Sequence, residues 1–106
     1  MMDNSNIGFT KFPNDILESA TKRKLTGTQL AVLLYIVRKT YGFNKGQFGD
    51  FISISKMAAE TGYSRRAITA AVNYLEENRI VAVAHSERGR GRTNNFRVTD
   101  PREWRK

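Results

Sequence analysis

Residues 55–78, SKMAAETGYSRRAITAAVNYLEEN, decide the fold of this chain. Ser55 is expected to cap a short helix that stops before Gly62, because glycine readily adopts the left-handed conformation that ends helices. Ser64 then caps a second helix, from Arg65 to about Asn78. Offsets of 3, 4 and 7 give this second helix one buried apolar face, formed by Ile68, Ala71, Val72 and Leu75. Two helices joined by so short a turn make a helix-turn-helix.

Two strands are predicted directly after the second helix. Residues 80–84 form an apolar run, and residues 96–99 alternate between apolar and polar side chains. The loop between them contains Arg-Gly-Arg-Gly-Arg at 88–92, and Asp100-Pro101 closes the pair. A hairpin in this position is the wing of a winged helix-turn-helix domain.

The helices before this motif are predicted from caps and apolar periodicity. Pro13-Asn14-Asp15 opens a short helix, whose inner face is expected to be Ile16, Leu17 and Ala20. Residues 21–24 are interpreted as a basic link, because no apolar side chain continues that face.

The strongest helix follows this link. Thr26 and Gln29 have the spacing of a capping box, and Gly42 ends the helix. Its predicted inner stripe is Leu30, Leu33, Leu34, Val37 and Tyr41. After it, residues 51–54 alternate Ile and Ser and predict a short strand.

Length and composition indicate one small domain, mostly α with a small β-hairpin, in the α+β class. The chain has 106 residues, of which 40% are hydrophobic and 26% charged. Residues 1–8 are predicted to be a flexible N-terminal arm, 9–99 the winged helix-turn-helix domain, and 100–106 a short tail whose Trp104 covers the core. The sequence has no apolar run of about 18 residues, as a membrane span requires, and no basic-then-apolar leader, so we expect a cytoplasmic protein associated with the nucleoid of a bacterial host.

Composition also argues against an enzyme. The chain has no Cys and one His, so thiol chemistry, a metal site and a cofactor are not expected. The Gly89-x-Gly91 pattern lies in a hairpin loop, not between a strand and a helix, so it is not a dinucleotide fingerprint. Glu76 and Glu77 are adjacent on a helix and point about 100° apart, which does not make an acid–base pair.

Charge points to a polyanionic partner. There are 18 Lys and Arg against 10 Asp and Glu, a net charge of +8. The last 21 residues contain seven basic and three acidic side chains, so half of the excess lies there. Duplex DNA is the expected partner, because the first turn of the second helix of such a motif enters the major groove.

The residues expected to bind DNA lie on three elements. Arg65 or Arg66 can fork onto guanine, Asn73 can read adenine, and Ser64 with the free N–H groups of the helix can bind a phosphate. Lys56 is expected near the backbone, and the wing arginines near the minor groove or flanking phosphates. The full predicted set is Lys56, Ser64, Arg65, Arg66, Thr69, Ala70, Asn73, Arg88, Arg90 and Arg92.

The long helix also suggests a homodimer. Val32 and Ile36, with Tyr35 beside them, add apolar surface beyond the predicted inner stripe. We hypothesise that these three residues form a two-fold contact, which would match palindromic half-sites. In a monomer, the first helix and Trp104 would cover this surface instead.

Several segments resemble one protein family. FTKFPNDILE at 9–18, LTGTQL at 25–30 and, most specifically, RKTYGFNK at 38–45 resemble the N-terminal DNA-binding domain of phage lambda-type replication protein O. The likeness continues through ISISKMA at 52–58 and TGYSRR at 61–66, and covers roughly residues 9–99.

This resemblance implies binding, as a dimer, to repeated sites in a phage replication origin. In that family the chain continues into a region that recruits a helicase loader, and this sequence stops at Lys106. A helicase loader is therefore an expected partner only where the domain belongs to a longer chain. Two alternatives remain: a winged helix repressor or partition adaptor with the same DNA chemistry, and a protein-interaction winged helix in a primosome.

Overall fold

A computed structural model describes residues 13–40, 51–85 and 93–105. The elements follow the order helix, helix, strand, helix, helix, strand, strand and a final 3₁₀ turn. They are α1 (Asn14–Arg23), α2 (Gly27–Thr40), β1 (Phe51–Ser53), α3 (Ile54–Thr61), α4 (Arg65–Glu77), β2 (Val81–His85), β3 (Thr93–Val98) and the C-terminal 3₁₀ turn (Pro101–Glu103). Among the described residues, no helix has the length and apolar character needed to cross a membrane.

The three strands form one antiparallel sheet in the order β1-β3-β2. Strands β2 and β3 form the predicted hairpin, with Val81 opposite Val98 and Val83 opposite Phe96. The short strand β1 adds to the other edge of β3, a pairing that the alternation of Ile and Ser did not reveal. The fold is therefore a winged helix-turn-helix, mostly helical with a small sheet.

The core lies between α2, α4 and the sheet. Buried apolar side chains come from every element except the C-terminal 3₁₀ turn. The largest of those with almost no exposed surface are Phe96, Leu33, Ile36, Met57, Ile68, Leu75 and Ile80. Burying each of these side chains stabilises the domain by about 1.5–3 kcal/mol.

The first helix is longer than expected. The basic link predicted at residues 21–24 is helical through Arg23, and the helix ends at Lys24 in a left-handed conformation. A contact between distant parts of the chain holds this last turn: the Arg23 Nη2 donates to Asn78 Oδ1 at 2.8 Å. The inner face is Ile16 and Ala20, whereas Leu17 is 44% exposed.

The second helix begins with the predicted capping box. Thr26 Oγ1 accepts from the Gln29 N–H at 3.2 Å, and Gln29 Oε1 accepts from the Thr26 N–H at 3.0 Å. The predicted inner stripe is only partly correct, because Leu30 and Leu34 are 40% and 44% exposed. The buried positions are Val32, Leu33, Ile36, Val37 and Thr40.

The cap of α3 also differs from the prediction. Ser53, not Ser55, accepts a hydrogen bond from the Lys56 N–H, at 3.0 Å. The helix therefore starts at Ile54, immediately at the end of β1.

The C-terminal tail packs onto the domain. Trp104 is buried, as predicted, and its indole N–H donates to the Thr99 carbonyl at 3.3 Å. Thr99 is buried as well, and its backbone N–H donates to the Ile80 carbonyl at 3.0 Å. The Arg105 N–H donates to the Asn78 carbonyl at 2.8 Å, so the tail is tied to the end of α4.

Candidate nucleic-acid interface

The turn between α3 and α4 fixes the direction of the second helix of the motif. Gly62 ends α3 at φ +85°, a conformation that glycine adopts without steric cost, and its N–H donates to the Ala58 carbonyl at 2.9 Å. Ser64 caps α4, since its hydroxyl oxygen accepts from the Ala67 N–H at 3.1 Å. Both caps are predicted correctly, because local residues alone supply them.

The two sides of α4 have opposite character. Ile68, Ala71, Val72 and Leu75 are buried, as their spacing predicted. The solvent side consists of exposed residues, and it contains every α4 residue predicted to bind DNA: Arg65, Arg66, Thr69, Ala70 and Asn73. Ser64 at the cap is also exposed. We call these six residues the recognition face.

The recognition face combines chemical groups that suit duplex DNA. Two guanidinium groups stand in the first helical turn, where the unpaired N–H groups and the helix dipole also favour an anion. The small side chain of Ala70 permits close approach, and the Asn73 amide lies about two turns beyond Arg65 and Arg66 along the helix. Arginine can fork onto guanine and asparagine onto adenine.

Lys56 extends the positive charge onto α3. Its side chain is exposed near the start of that helix. One turn further, Glu60 has its pKa lowered, first by the Tyr35 hydroxyl that donates to it and then by the charges of Lys39 and Lys56. The Lys39 Nζ lies 3.7 Å from Glu60 Oε1 and 5.4 Å from the centre of the Tyr35 ring.

This Tyr35–Lys39–Glu60 cluster joins α2 to the first helix of the motif. Burial and the carboxylate of Glu60 raise the pKa of Tyr35, so the phenol keeps its proton and donates. The cluster therefore helps to orient α3 and, through the turn, α4. Sequence reasoning missed this role, because Tyr35 and Glu60 are 25 residues apart and no local pattern joins them.

The predicted dimer contact is wrong for two of its three residues. Val32 and Ile36 have no exposed surface, because α2 buries them against the core of its own chain. Tyr35 is half-buried and donates to Glu60. The exposed apolar side chains of α2 are Leu30 and Leu34 instead.

The wing arginines cannot be compared with the structure. The register of β2 with β3 extends to the pair His85 and Asn94, which confirms the hairpin. Arg88, Arg90 and Arg92 belong to residues 86–92, which lie outside the described part of the chain. Within the described ranges, no group of three or more His, Cys, Asp or Glu side chains comes together to hold a metal ion.

Fold and surface together define a winged helix-turn-helix domain of the DNA-binding class. The model of the bacteriophage replication protein O family matches residues 1–97, which is most of the chain. The chain therefore belongs to the bacteriophage replication protein O family. This confirms the family that the segments at 9–18 and 38–45 resemble.

Individual relatives agree with this assignment. The DNA replication protein gp18 of Salmonella phage P22 is 35% identical over 68 residues, which are 64% of this chain. The match covers 24% of gp18, so the chain spans about a quarter of the length of that relative.

A solved structure shares the fold. The YusO protein from Bacillus subtilis superposes with a TM-score of 0.53 and 25% identity, over 82% of this chain and 54% of that one. The adhesin competence repressor AdcR from Streptococcus pyogenes has a TM-score of 0.47 and 24% identity, over 82% of this chain and 56% of its own. The family assignment supports DNA binding in replication as the general role.

Proposed function

We propose that this chain binds double-stranded DNA sequence-specifically, at repeated sites of a phage-type replication origin. The proposal rests on the two faces of α4. Its apolar face is buried, and Arg65, Arg66 and Asn73 are exposed on the opposite face. The replication origin is suggested by membership in the replication protein O family. The first turn of α4 would enter the major groove, with Lys56 on the backbone and the wing arginines on flanking phosphates.

Base readout and charge attraction contribute differently to this binding. A bidentate contact from Arg65 or Arg66 to guanine discriminates against a wrong base by about 1–3 kcal/mol. Contacts to phosphates raise affinity for all sequences and weaken with salt. Specificity is therefore expected to depend on α4, and salt sensitivity on all the basic residues together.

The experiment is selection of bound duplexes from a random pool at about 150 mM salt, where binding by charge alone is weak. We expect an enriched motif with at least ~10³-fold preference over random DNA. The Arg65→Ala variant should bind the motif more weakly by about 1–3 kcal/mol and lose preference at one base pair. Fluorescence anisotropy on matched and mismatched duplexes measures both effects.

A matched control uses the other end of the same helix. Arg79 is exposed just beyond the end of α4, away from the first helical turn, so Arg79→Gly should keep the preference for the same base pairs, whatever its effect on overall affinity. Failure to enrich any motif would instead favour a protein-interaction winged helix. The position of the motif in the phage genome distinguishes an origin from the operator of a repressor.

A homodimer remains part of the proposal, with a different contact surface. Since Val32 and Ile36 are buried, a two-fold contact through α2 would use the exposed Leu30 and Leu34. A symmetric selected motif would support the dimer. Light scattering that finds a monomer both free in solution and bound to DNA would contradict it.

A further inference from the structure

A second basic surface lies at the far end of α4 from the recognition face. Three parts of the molecule meet at Asn78: the end of α1, the end of α4 and the C-terminal tail. The Asn78 side chain accepts from Arg23, and the Asn78 carbonyl accepts from the Arg105 N–H. Six cationic residues lie at these contacts, next to them in the chain, or in the cleft between α1 and the C-terminal 3₁₀ turn. We call them the distal basic surface: Lys22, Arg23, Lys24, Arg79, Arg102 and Arg105.

The distal basic surface contains an open cleft of about 590 Å³ between α1 and the C-terminal 3₁₀ turn. Among the described residues that line this cleft, three are cationic and none is acidic. They are Ser19, Lys22, Arg23, Pro101, Arg102 and Trp104. The cleft therefore presents a hydroxyl group, an ammonium group and two guanidinium groups around an apolar floor.

The cations of the cleft are held in different ways. The Arg23 guanidinium uses one nitrogen to bind Asn78 Oδ1, at 2.8 Å, which fixes the fork while other N–H groups remain for a ligand. Arg102 is paired with Asp100 at 2.8 Å and also interacts with Asp15 and Glu103, so its charge is largely compensated. Lys22 and Arg23 are therefore the residues on which anion binding would chiefly depend.

Backbone strain gives an independent observation. Lys24 and Arg79 have φ of 58° and 60°, and they are the two described non-glycine residues with positive φ. Glycine is the usual residue at such helix ends, because a side chain there is sterically unfavourable. This chain instead has a cationic residue at both places, directly after Arg23 and directly after Asn78, the two residues that the hydrogen bond joins.

The distal basic surface is separate from the recognition face. At 1.5 Å per residue, the cap of α4 at Ser64 lies about 20 Å from Asn78, and Asn73, the last residue of the recognition face, lies about 7.5 Å from it along the helix. Glu76 and Glu77 interrupt the positive charge between the two surfaces. If the first turn of α4 enters the major groove of a duplex, that duplex leaves the distal basic surface open.

We propose that the distal basic surface binds the phosphate backbone of a second duplex DNA segment, without sequence preference. Phosphodiester oxygens suit planar guanidinium forks and ammonium groups, and the small open cleft suits a single backbone better than a base. The chain could then hold two DNA segments at once, one by its recognition face and one by this surface. The proposal does not require the recognition face to be sequence-specific.

Trp104 supplies a direct probe of this site. It is the one tryptophan of the chain, and it lines the cleft. Nuclear magnetic resonance of the labelled 106-residue chain therefore shows a single indole N–H signal. We expect this signal to shift and saturate when a 12-base-pair duplex of arbitrary sequence is added at about 50 mM salt, in addition to the shifts of the α4 backbone amides.

The test variant is Lys22→Ala with Arg79→Gly. Lys22 is exposed, and glycine suits the backbone of residue 79, so this variant is designed to keep its fold. It should lose most of the Trp104 shift while the α4 amides still respond. The slope of log affinity against log salt should become shallower by about 0.9 for each phosphate that the variant no longer binds.

The reciprocal variant is Arg65→Ala with Arg66→Ala. It should weaken the α4 response and leave the Trp104 shift. The α4 amides therefore report on the recognition face, and the Trp104 signal reports independently on the distal basic surface. The proposal is overturned if Trp104 does not shift while α4 saturates, or if its shift survives in Lys22→Ala/Arg79→Gly. It is also overturned if the shift disappears in the reciprocal variant, or if only single-stranded DNA produces it.

Discussion

Asp100 shows how one side chain sets the start of the C-terminal 3₁₀ turn. Its carboxylate accepts from the Arg102 N–H at 2.9 Å and from the guanidinium Nη2 of the same residue at 2.8 Å. These bonds lower the pKa of Asp100 to about 2. The turn that they shape carries Trp104 to its buried position against Thr99.

The lowered pKa makes the stabilising effect of Asp100 dependent on pH. A carboxyl group whose pKa is lower in the folded state stabilises that state above its unfolded pKa, near 4, and loses this effect as the pH falls towards the folded value. We expect Asp100→Asn to lower the urea midpoint of unfolding by the same amount throughout pH 5–7. The difference from the unchanged chain should shrink between about pH 4 and pH 2.

Urea unfolding followed by circular dichroism at several pH values checks this prediction. Glu77→Gln serves as a control, since Glu77 is an exposed carboxylate at the end of α4. A difference for Asp100→Asn that stays constant down to pH 2 would show that the carboxylate charge is not what stabilises the turn.

At the scale of elements, neighbouring leucines of α2 test which side of the helix faces the core. Leu33 has no exposed surface, whereas Leu34 is 44% exposed. Leu33→Ala should destabilise the domain by about 2–5 kcal/mol, because it removes buried methyl groups and leaves a cavity. Leu34→Ala should change the free energy of unfolding of the single chain, measured at low protein concentration, by no more than about 0.5 kcal/mol.

Denaturant unfolding of the two variants, under identical conditions, gives the comparison. The substitutions are chemically the same and adjacent in one helix, so helix propensity cancels. Equal losses of stability, or a larger loss for Leu34→Ala, would mean that α2 turns a different side towards the core. A large loss for Leu34→Ala that grows with protein concentration would point to a contact between two chains.

The sequence predicts α4 accurately and α2 only in part, for a physical reason. On α4, the cap at Ser64 and a single apolar face at Ile68 and Leu75 agree with each other. On α2, apolar residues occur all around the helix, so periodicity cannot select Val32 over Leu34. That choice depends on which neighbouring elements pack against the helix.

The candidate site, too, could be predicted from the sequence only in part. The exposed side of α4 could be predicted, because it is what remains after the buried positions are removed. The Tyr35–Glu60 hydrogen bond and the Arg23–Asn78 hydrogen bond could not, since each joins residues that are far apart in the chain. The latter also explains why α1 extends through residues that look like a polar link.

At the scale of the whole molecule, the basic residues behind the net charge of +8 form separate groups and are not spread evenly along the chain. One group of basic residues surrounds the recognition face, and the distal basic surface holds another. The wing arginines, Arg88, Arg90 and Arg92, add a third group in the sequence. Salt dependence can measure how many of these cations meet phosphate when DNA binds, because each contact releases condensed counterions.

We expect six cations per chain to contribute at a selected site: Lys56, Arg65 and Arg66 of the described surface and the three wing arginines. This number corresponds to a slope of about −5 in log affinity against log salt, and to a loss of about 10³-fold in affinity between about 50 and 200 mM salt. Replacing the three wing arginines by alanine should roughly halve the slope, so that the same rise in salt costs only about 40-fold. Anisotropy titrations on one duplex give both slopes. An unchanged slope in the wing variant would mean that those arginines do not contact phosphate, and that the helix-turn-helix motif holds the DNA without them.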